Sequence, residues 1–410
     1  MAWQTPKTNW QTTDSPTNDD FNRIEGNIQE LDNIVVKKDV SATITAQHTF
    51  DTPDAPFVLG TNAQGKLVEG LNADLLDGKH ADEIIAIKGM DILSADPTIK
   101  YLTLFGSLSS NTSKWYGGVL APNGKIYGIP FNSTQVLEID PETQNITLFG
   151  SLSGTAKWVG GVLAPNGKIY GIPFDSTQVL EIDPETQNIT LFGSLSGTAK
   201  WVGGVLAPNG KIYGIPCNST QVLEIDPETQ NITLFGSLSG TAKWCGGVLA
   251  PNGKIYGIPF DSTQVLEIDP ETQNITLFGN LPGTYKWYGG VLAPNGKIYG
   301  IPYSSTQVLE IDPETQNITL FGSLSGTAKW VGGVLAPNGK IYGIPRDATQ
   351  VLEIDPETQN ITLFGSLSGT AKWVGGVLAP NGKIYGIPLN STQVFVLQLW
   401  SYFGPYLNKF

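Results

Sequence analysis

The chain has 410 residues, a formal net charge of −13 and a pI near 4.6. That acidity disfavours a nucleic-acid partner, because phosphate binding needs a basic field. No stretch reaches the roughly 18 consecutive apolar residues of a membrane span. Two cysteines, Cys217 and Cys245, give neither a disulfide framework nor a zinc spacing, and nothing else points to a metal or cofactor.

Residues 1–94 share no vocabulary with the rest and hold both histidines, His48 and His80, which lie 32 residues apart. The opening MAWQTPKTNWQTTD lacks the basic end and apolar run of a secretion signal, so synthesis in a cytoplasm is expected. Residues 17–38 read as a helix, with Thr17 three before Asp20 as a capping-box-like start. The series Phe21, Ile24, Ile28, Leu31, Val35 steps 3, 4, 3, 4, a heptad seam. Isoleucine at both kinds of seam position leans towards three strands, which predicts a homotrimer over 19–38. The seam spans barely two heptads and Gly26 weakens it, so an amphipathic helix packed on its own chain stays open. Residues 39–94 read as a small β-rich connector.

From Trp115 onward the chain repeats every 43 residues, with the tryptophan returning at Trp158, Trp201, Trp244, Trp287, Trp330 and Trp373. Each copy reads close to KWVGGVLAPNGKIYGIPFDSTQVLEIDPETQNITLFGSLSGTA. A 40–50-residue period with several short strands per unit predicts a β-propeller, here with seven blades. In the second copy, Lys157–Ala164 is the expected inner strand, its Gly160-Gly161 suited to a crowded axis. Pro165-Asn166-Gly167 is a hairpin turn, and Lys168–Ile172 is the second strand, ended by Pro173. Gln178–Ile182 alternates as a third strand, and Ile189–Phe192 is the fourth. The fourth strand follows only the first six copies. The missing one stands ahead of the first copy as Leu102-Thr103-Leu104-Phe105, so an N-terminal strand should complete the last blade and close the ring over residues 95–399. Residues 400–410 form a tail.

Differences between copies cluster. The residue after Gly-Ile-Pro runs Phe131, Phe174, Cys217, Phe260, Tyr303, Arg346, Leu389; its neighbour runs Asn132, Asp175, Asn218, Asp261, Ser304, Asp347, Asn390. The residue after the tryptophan runs Tyr116, Val159, Val202, Cys245, Tyr288, Val331, Val374, and the fifth copy's preceding loop carries Tyr285. In an antiparallel meander all these positions fall on one face, whereas Ala-Pro-Asn-Gly-Lys and Asp-Pro-Glu-Thr-Gln-Asn on the other face do not change. Drift after duplication should also strike exposed Lys, Glu and Gln in those invariant loops, so the variable face is read as a contact surface. Its candidate binding residues are Tyr116, Phe131, Asn132, Phe174, Asp175, Asn218, Phe260, Asp261, Tyr285, Tyr288, Tyr303, Arg346, Asp347 and Asn390. Aromatic rings beside Asn or Asp suit a sugar: the ring stacks on the pyranose and the polar neighbour takes hydroxyls. Cys217 and Cys245 occupy adjacent blades on this face and are expected near each other, with Cα atoms within about 7 Å. The seven tryptophans are expected to pack blade against blade.

The NGKIYGIP…VLEIDPET wording resembles kelch- and quinoprotein-like propellers, which implies the fold and leaves the activity open. The segment TPKTNWQTTDSPTNDDFNRIEGNIQEL resembles the N-terminus of tail-fibre and receptor-binding proteins of tailed phages and prophages, and LNADLLDGKHADEI (71–84) resembles an element of phage fibre shafts. That resemblance implies a virion attachment segment over 1–18 that meets a tail or baseplate protein, a trimeric stem and a tip that binds a host cell-surface receptor, glycan or protein. It also implies a location in the virion. Two other readings stand beside it: a propeller-fold glycan depolymerase, and a structural spacer or cap of a phage-tail-like particle. Catalysis needs a unique cluster of acid and base groups, whereas Glu138, Asp140 and Glu142 recur in six copies and no histidine lies in the ring, so no catalytic residue is expected.

Overall fold

The computed structural model describes residues 100–399 as 28 strands, β1 (Lys100–Phe105) through β28 (Val394–Leu399), in seven four-stranded antiparallel sheets. The attachment segment, the helix with its seam Phe21, Ile24, Ile28, Leu31 and Val35, the connector and the tail lie outside the described residues. There is no helix among the described residues. The first blade runs β2 (Trp115–Leu120), β3 (Ile126–Pro130), β4 (Val136–Ile139) and β5 (Ile146–Phe149), and five more repeat that order. The seventh is assembled as β1–β28–β27–β26, with β26 (Trp373–Leu378) innermost and β27 (Ile384–Pro388) next. β1 pairs with β28 over six positions, from Lys100↔Leu399 to Phe105↔Val394. The ring therefore closes through the N-terminal strand, as the strand count predicts.

Strand limits differ slightly from expectation. In the second blade the inner strand is Trp158–Leu163, the second Ile169–Pro173 and the third Val179–Ile182. Pro173 sits inside the ladder, opposite Trp158 at its last pair, where a missing N–H is tolerated because the strand turns away there.

Adjacent blades pack face to face, and that interface is the core. Trp158, Ile169, Leu180 and Ile182 of the second blade meet Val119, Tyr127, Ile129 and Val136 of the first. The same composition recurs at every boundary, including the closing one, where Trp115 and Leu137 meet Tyr385 and Val394. The tryptophans are buried, and the Trp158 indole N–H donates to the carbonyl of Gln178 at 2.8 Å. They are packing residues.

The inner strand carries a register shift between Trp158 and Gly161. Within it Gly160 has φ +80, and a Cβ there would stand 3.0 Å from the Cα of Gly203. The contact repeats around the axis, Gly117 to Gly160 and so on until Gly375 meets Gly117. Seven glycines thus form a closed collar, and the bulge turns the residue after each tryptophan towards the axial mouth.

Candidate functional site: the variable face and its axial mouth

Successive loops alternate between the two faces. The connections between blades and the loops between second and third strands share one face; the Asn-Gly hairpins and the Asp-Pro-Glu-Thr turns share the other. Because β28 ends at Leu399 and β1 begins at Lys100, paired side by side, the chain enters and leaves the ring at the second, invariant face.

On the variable face, aromatic residues from several blades meet over the axis. Phe174 contacts Phe131 with ring centroids 5.9 Å apart, Phe131 contacts Tyr116 at 5.7 Å, and Tyr116 meets Tyr288 at 5.8 Å. Tyr116 and Tyr288 belong to the first and fifth blades, so this contact spans the ring. From Tyr288 the stripe continues to Tyr303 at 6.0 Å and Phe260 at 5.7 Å, and Phe260 meets Tyr285 edge-on at 5.1 Å. Val159, Val202, Val331, Val374, Cys217, Cys245 and Leu389 fill the space beside it. Seven identical side chains pointing at one axis would either clash or leave a hole. Two tyrosines among valines and a cysteine fill it, which is an internal reason for variation at this position. Burial pushes the phenols of Tyr116 and Tyr288 up, so both stay neutral.

At the edge of the stripe Tyr285 is 54% exposed, and Phe131, Phe174 and Tyr303 are half-buried, whereas Phe260 is buried. Arg346 lies 5.7 Å from the Tyr303 ring centre and pairs with Asp347 at 2.9 Å. Cys217 and Cys245 sit in the same cluster as buried, unbridged thiols, and burial holds the Cys245 thiol well above its ordinary range.

The Asn/Asp partners of the aromatics have a second employment that the sequence reading missed. Asn132 Oδ1 accepts from the Ala156 N–H at 2.8 Å, Asp175 from Ala199 at 2.6 Å, and Asn218 from Ala242 at 2.8 Å. Asp261 accepts from Tyr285 at 2.6 Å, Asp347 from Ala371 at 2.6 Å, and Asn390 from Ser113 at 2.6 Å. Each donating residue has positive φ, 48° at Ala156 for example, so the side chain pins a left-handed residue at the entry to the next blade. The signal was visible: Asn, Asp and Ser all offer a side-chain acceptor oxygen.

Beside each clamp a buried lysine crosses the same seam. Lys157 Nζ donates to the carbonyls of Phe131 at 3.0 Å, Ser133 at 2.8 Å and Gly154 at 2.9 Å, and burial pushes its ammonium down to about 8. Three carbonyls match the three donors of the charged form, which it keeps at neutral pH.

The invariant face also owes its constancy to the seams. Lys168 pairs with Glu181 at 2.6 Å, the Tyr170 hydroxyl donates to Glu181 at 3.0 Å, and Gln230 of the next blade donates to the same carboxylate at 2.9 Å. Tyr170 and Asn166 also reach the Pro227 carbonyl across the boundary, at 3.1 Å and 3.2 Å. Burial alone would raise Glu181, but these three donors outweigh it and hold the carboxyl below its ordinary range. The lysine and glutamine of the invariant loops are therefore structural, and their constancy gives no independent support to a contact role for the other face. At the closing boundary Lys100 takes the glutamine's place on Glu353.

No family model matches this sequence, and no curated protein sequence matches it. Solved structures share the fold. A streptogramin B lyase superposes with a TM-score of 0.65 at 15% identity, covering 73% of this chain and 98% of its own. A catalytically inactive virginiamycin B lyase from Staphylococcus aureus with quinupristin gives 0.66 at 14% identity, covering 74% and 100%. Hydrazine synthase of Kuenenia stuttgartiensis gives 0.54 at 15% identity, covering 70% and 96%. Identities this low carry the architecture, a seven-bladed propeller, and nothing about activity.

Proposed function

We propose that this chain is a receptor-binding fibre protein of a phage or phage-tail-like particle, held by its N-terminal region and presenting the variable face of the propeller to a host cell surface. The observation that carries the reading is the exit geometry: both ends of the ring leave from the invariant face. A tether there leaves the variable face free. The resemblance of residues 5–31 and 71–84 to fibre attachment and shaft segments supports the particle, and the 19–38 seam supports a trimer that would display three rings together. The contact residues are best sought among the exposed Tyr285 and the half-buried Phe131, Phe174, Tyr303, Arg346, Tyr116 and Tyr288, since Phe260 is buried in the axial packing.

An enzymatic reading has less behind it. The ring holds no histidine, and its buried glutamates repeat by symmetry with the same structural partners. The test is decoration of bacterial cells by the fluorescently labelled full chain across a panel of species. Binding to some of them that falls when Phe174 and Tyr285 become alanine fits the proposal; an absence of binding to every species, or binding indifferent to those changes, contradicts it.

A further inference from the structure

A cleft of about 380 Å³ opens on the variable face at the rim of the fourth blade, away from the axial stripe. Its walls are the incoming connection, with Ser239 and Thr241, and the loop between second and third strands, with Thr263 and Gln264. Its outer lip is Leu277, 39% exposed, and Trp244 closes the floor. The side chains of Ser239, Thr241, Thr263 and Gln264 make no hydrogen bond within the protein, whereas Ser262 Oγ is spent on Gln264. Lys243, beneath, has its ammonium enclosed by the carbonyls of Cys217, Ser219 and Gly240. The cleft therefore offers unspent hydroxyls and an amide beside one apolar lip, and no available cation.

These residues recur with the 43-residue period. Ser-Leu-Ser-Gly-Thr stands at 151–155, 194–198, 237–241, 323–327 and 366–370, and Thr-Gln follows in every blade. The matching leucines, Leu191, Leu234, Leu363 and Leu104, are exposed to nearly the same degree as Leu277. From this we infer that the rim clefts are repeated binding sites for neutral, hydroxyl-rich saccharide units, so that the ring engages a repeating polysaccharide at several blades at once. Unspent donors and acceptors beside an apolar lip match the mixed surface of a sugar. A net charge of −13 and the absence of a free cation in the cleft select against polyanions. Near-identical lining residues recurring around one ring suit a ligand that is itself periodic, and joint occupancy raises apparent affinity about 10²–10⁴-fold without new contacts. The inference rests on the variable face being the outward one, as proposed above, and moves the sugar contacts from the mouth to the rim.

The test measures the full chain by biolayer interferometry against immobilised dextran, mannan and galactan, with poly(glycerol phosphate) and hyaluronan as polyanions. Binding to at least one neutral polymer, at least about 100-fold tighter than to its monosaccharide, is expected. Thr263→Ala alone should change little. The joint replacement of Thr177, Thr220, Thr263, Thr349 and Thr392 by alanine should weaken binding at least about tenfold with an unchanged melting temperature. Binding only to polyanions, or to a neutral polymer with no sensitivity to the fivefold variant, overturns the inference. If no polysaccharide binds while cells are still decorated in a Phe174-dependent way, the clefts fail and the receptor-binding reading stands. If decoration is also absent, both fall.

Discussion

Gly160→Ala and Gly167→Ala make a controlled pair, seven residues apart in one blade. Their φ angles are nearly equal, +80 and +79, so an added Cβ brings the same backbone strain to each, about 1–2 kcal/mol. Their surroundings differ. A Cβ on Gly167 meets nothing within 4 Å, whereas one on Gly160 stands 3.0 Å from the Gly203 Cα, a backbone atom that cannot swing aside. Overpacking of that kind adds about 1–3 kcal/mol, giving a total of about 2–5 kcal/mol for Gly160→Ala. For the 300 described residues the unfolding entropy is roughly 0.6 kcal/mol/K, so the expected drops in Tm are about 3–8 °C for Gly160→Ala and about 2–3 °C for Gly167→Ala. Differential scanning calorimetry on the two variants reads both numbers. Equal losses, or a larger loss at Gly167, would refute the closed glycine collar as the feature that sets the axis.

Other consequences can be measured on the same protein. Tyr288→Val installs the residue that four blades already carry, yet it should destabilise by about 2–4 kcal/mol because Tyr116, Tyr303 and Phe260 lose a packing partner over the axis; an unchanged Tm would mean the mouth is not close-packed. Acid should unfold the ring steeply. Glu138, Glu181, Glu224, Glu267, Glu310 and Glu353 are held below the ordinary range by lysine, tyrosine and glutamine or Lys100, against a burial effect that alone would raise them. Their stabilisation is complete above the unfolded value of about 4.3 and is lost as pH falls through the folded values, so Tm should drop sharply below pH about 4 and a flat profile from pH 6 to 3 would contradict it. The two thiols should resist iodoacetamide in the native protein and both react after unfolding, which mass spectrometry distinguishes; prompt native labelling would place them outside the buried cluster.

The ring was legible because each of its determinants is local. The tryptophan period, the Asn-Gly hairpin and the displaced Leu-Thr-Leu-Phe segment fix blade count, turn placement and closure without knowledge of any distant contact. The face on which the variable residues fall was equally legible, since strand alternation decides it. What those residues do there was not. The Asp175 clamp on Ala199 and the Gln230 bond to Glu181 join positions 24 and 49 residues apart in neighbouring blades, and no period-2 or turn rule reads across that gap. Constancy of Lys168 and Gln230 therefore looked unexplained when it reflects a buried network. Variation at Tyr116 and Tyr288 looked like a contact surface, though filling an axis already requires unequal side chains. The aromatic stripe is thus built from residues that also pack against one another, with Phe260 buried and Tyr285 exposed.

The most direct measurement blocks one face at a time. Thr263→Cys on the variable face and Glu185→Cys on the invariant face, each modified with a maleimide-linked polyethylene glycol, give two forms of the full chain that differ in which surface is shielded; the native thiols are buried and spared. Cell decoration should be lost with the polymer at position 263 and kept with it at position 185. Loss from both, or loss only at 185, would contradict the assignment of recognition to the face opposite the chain ends.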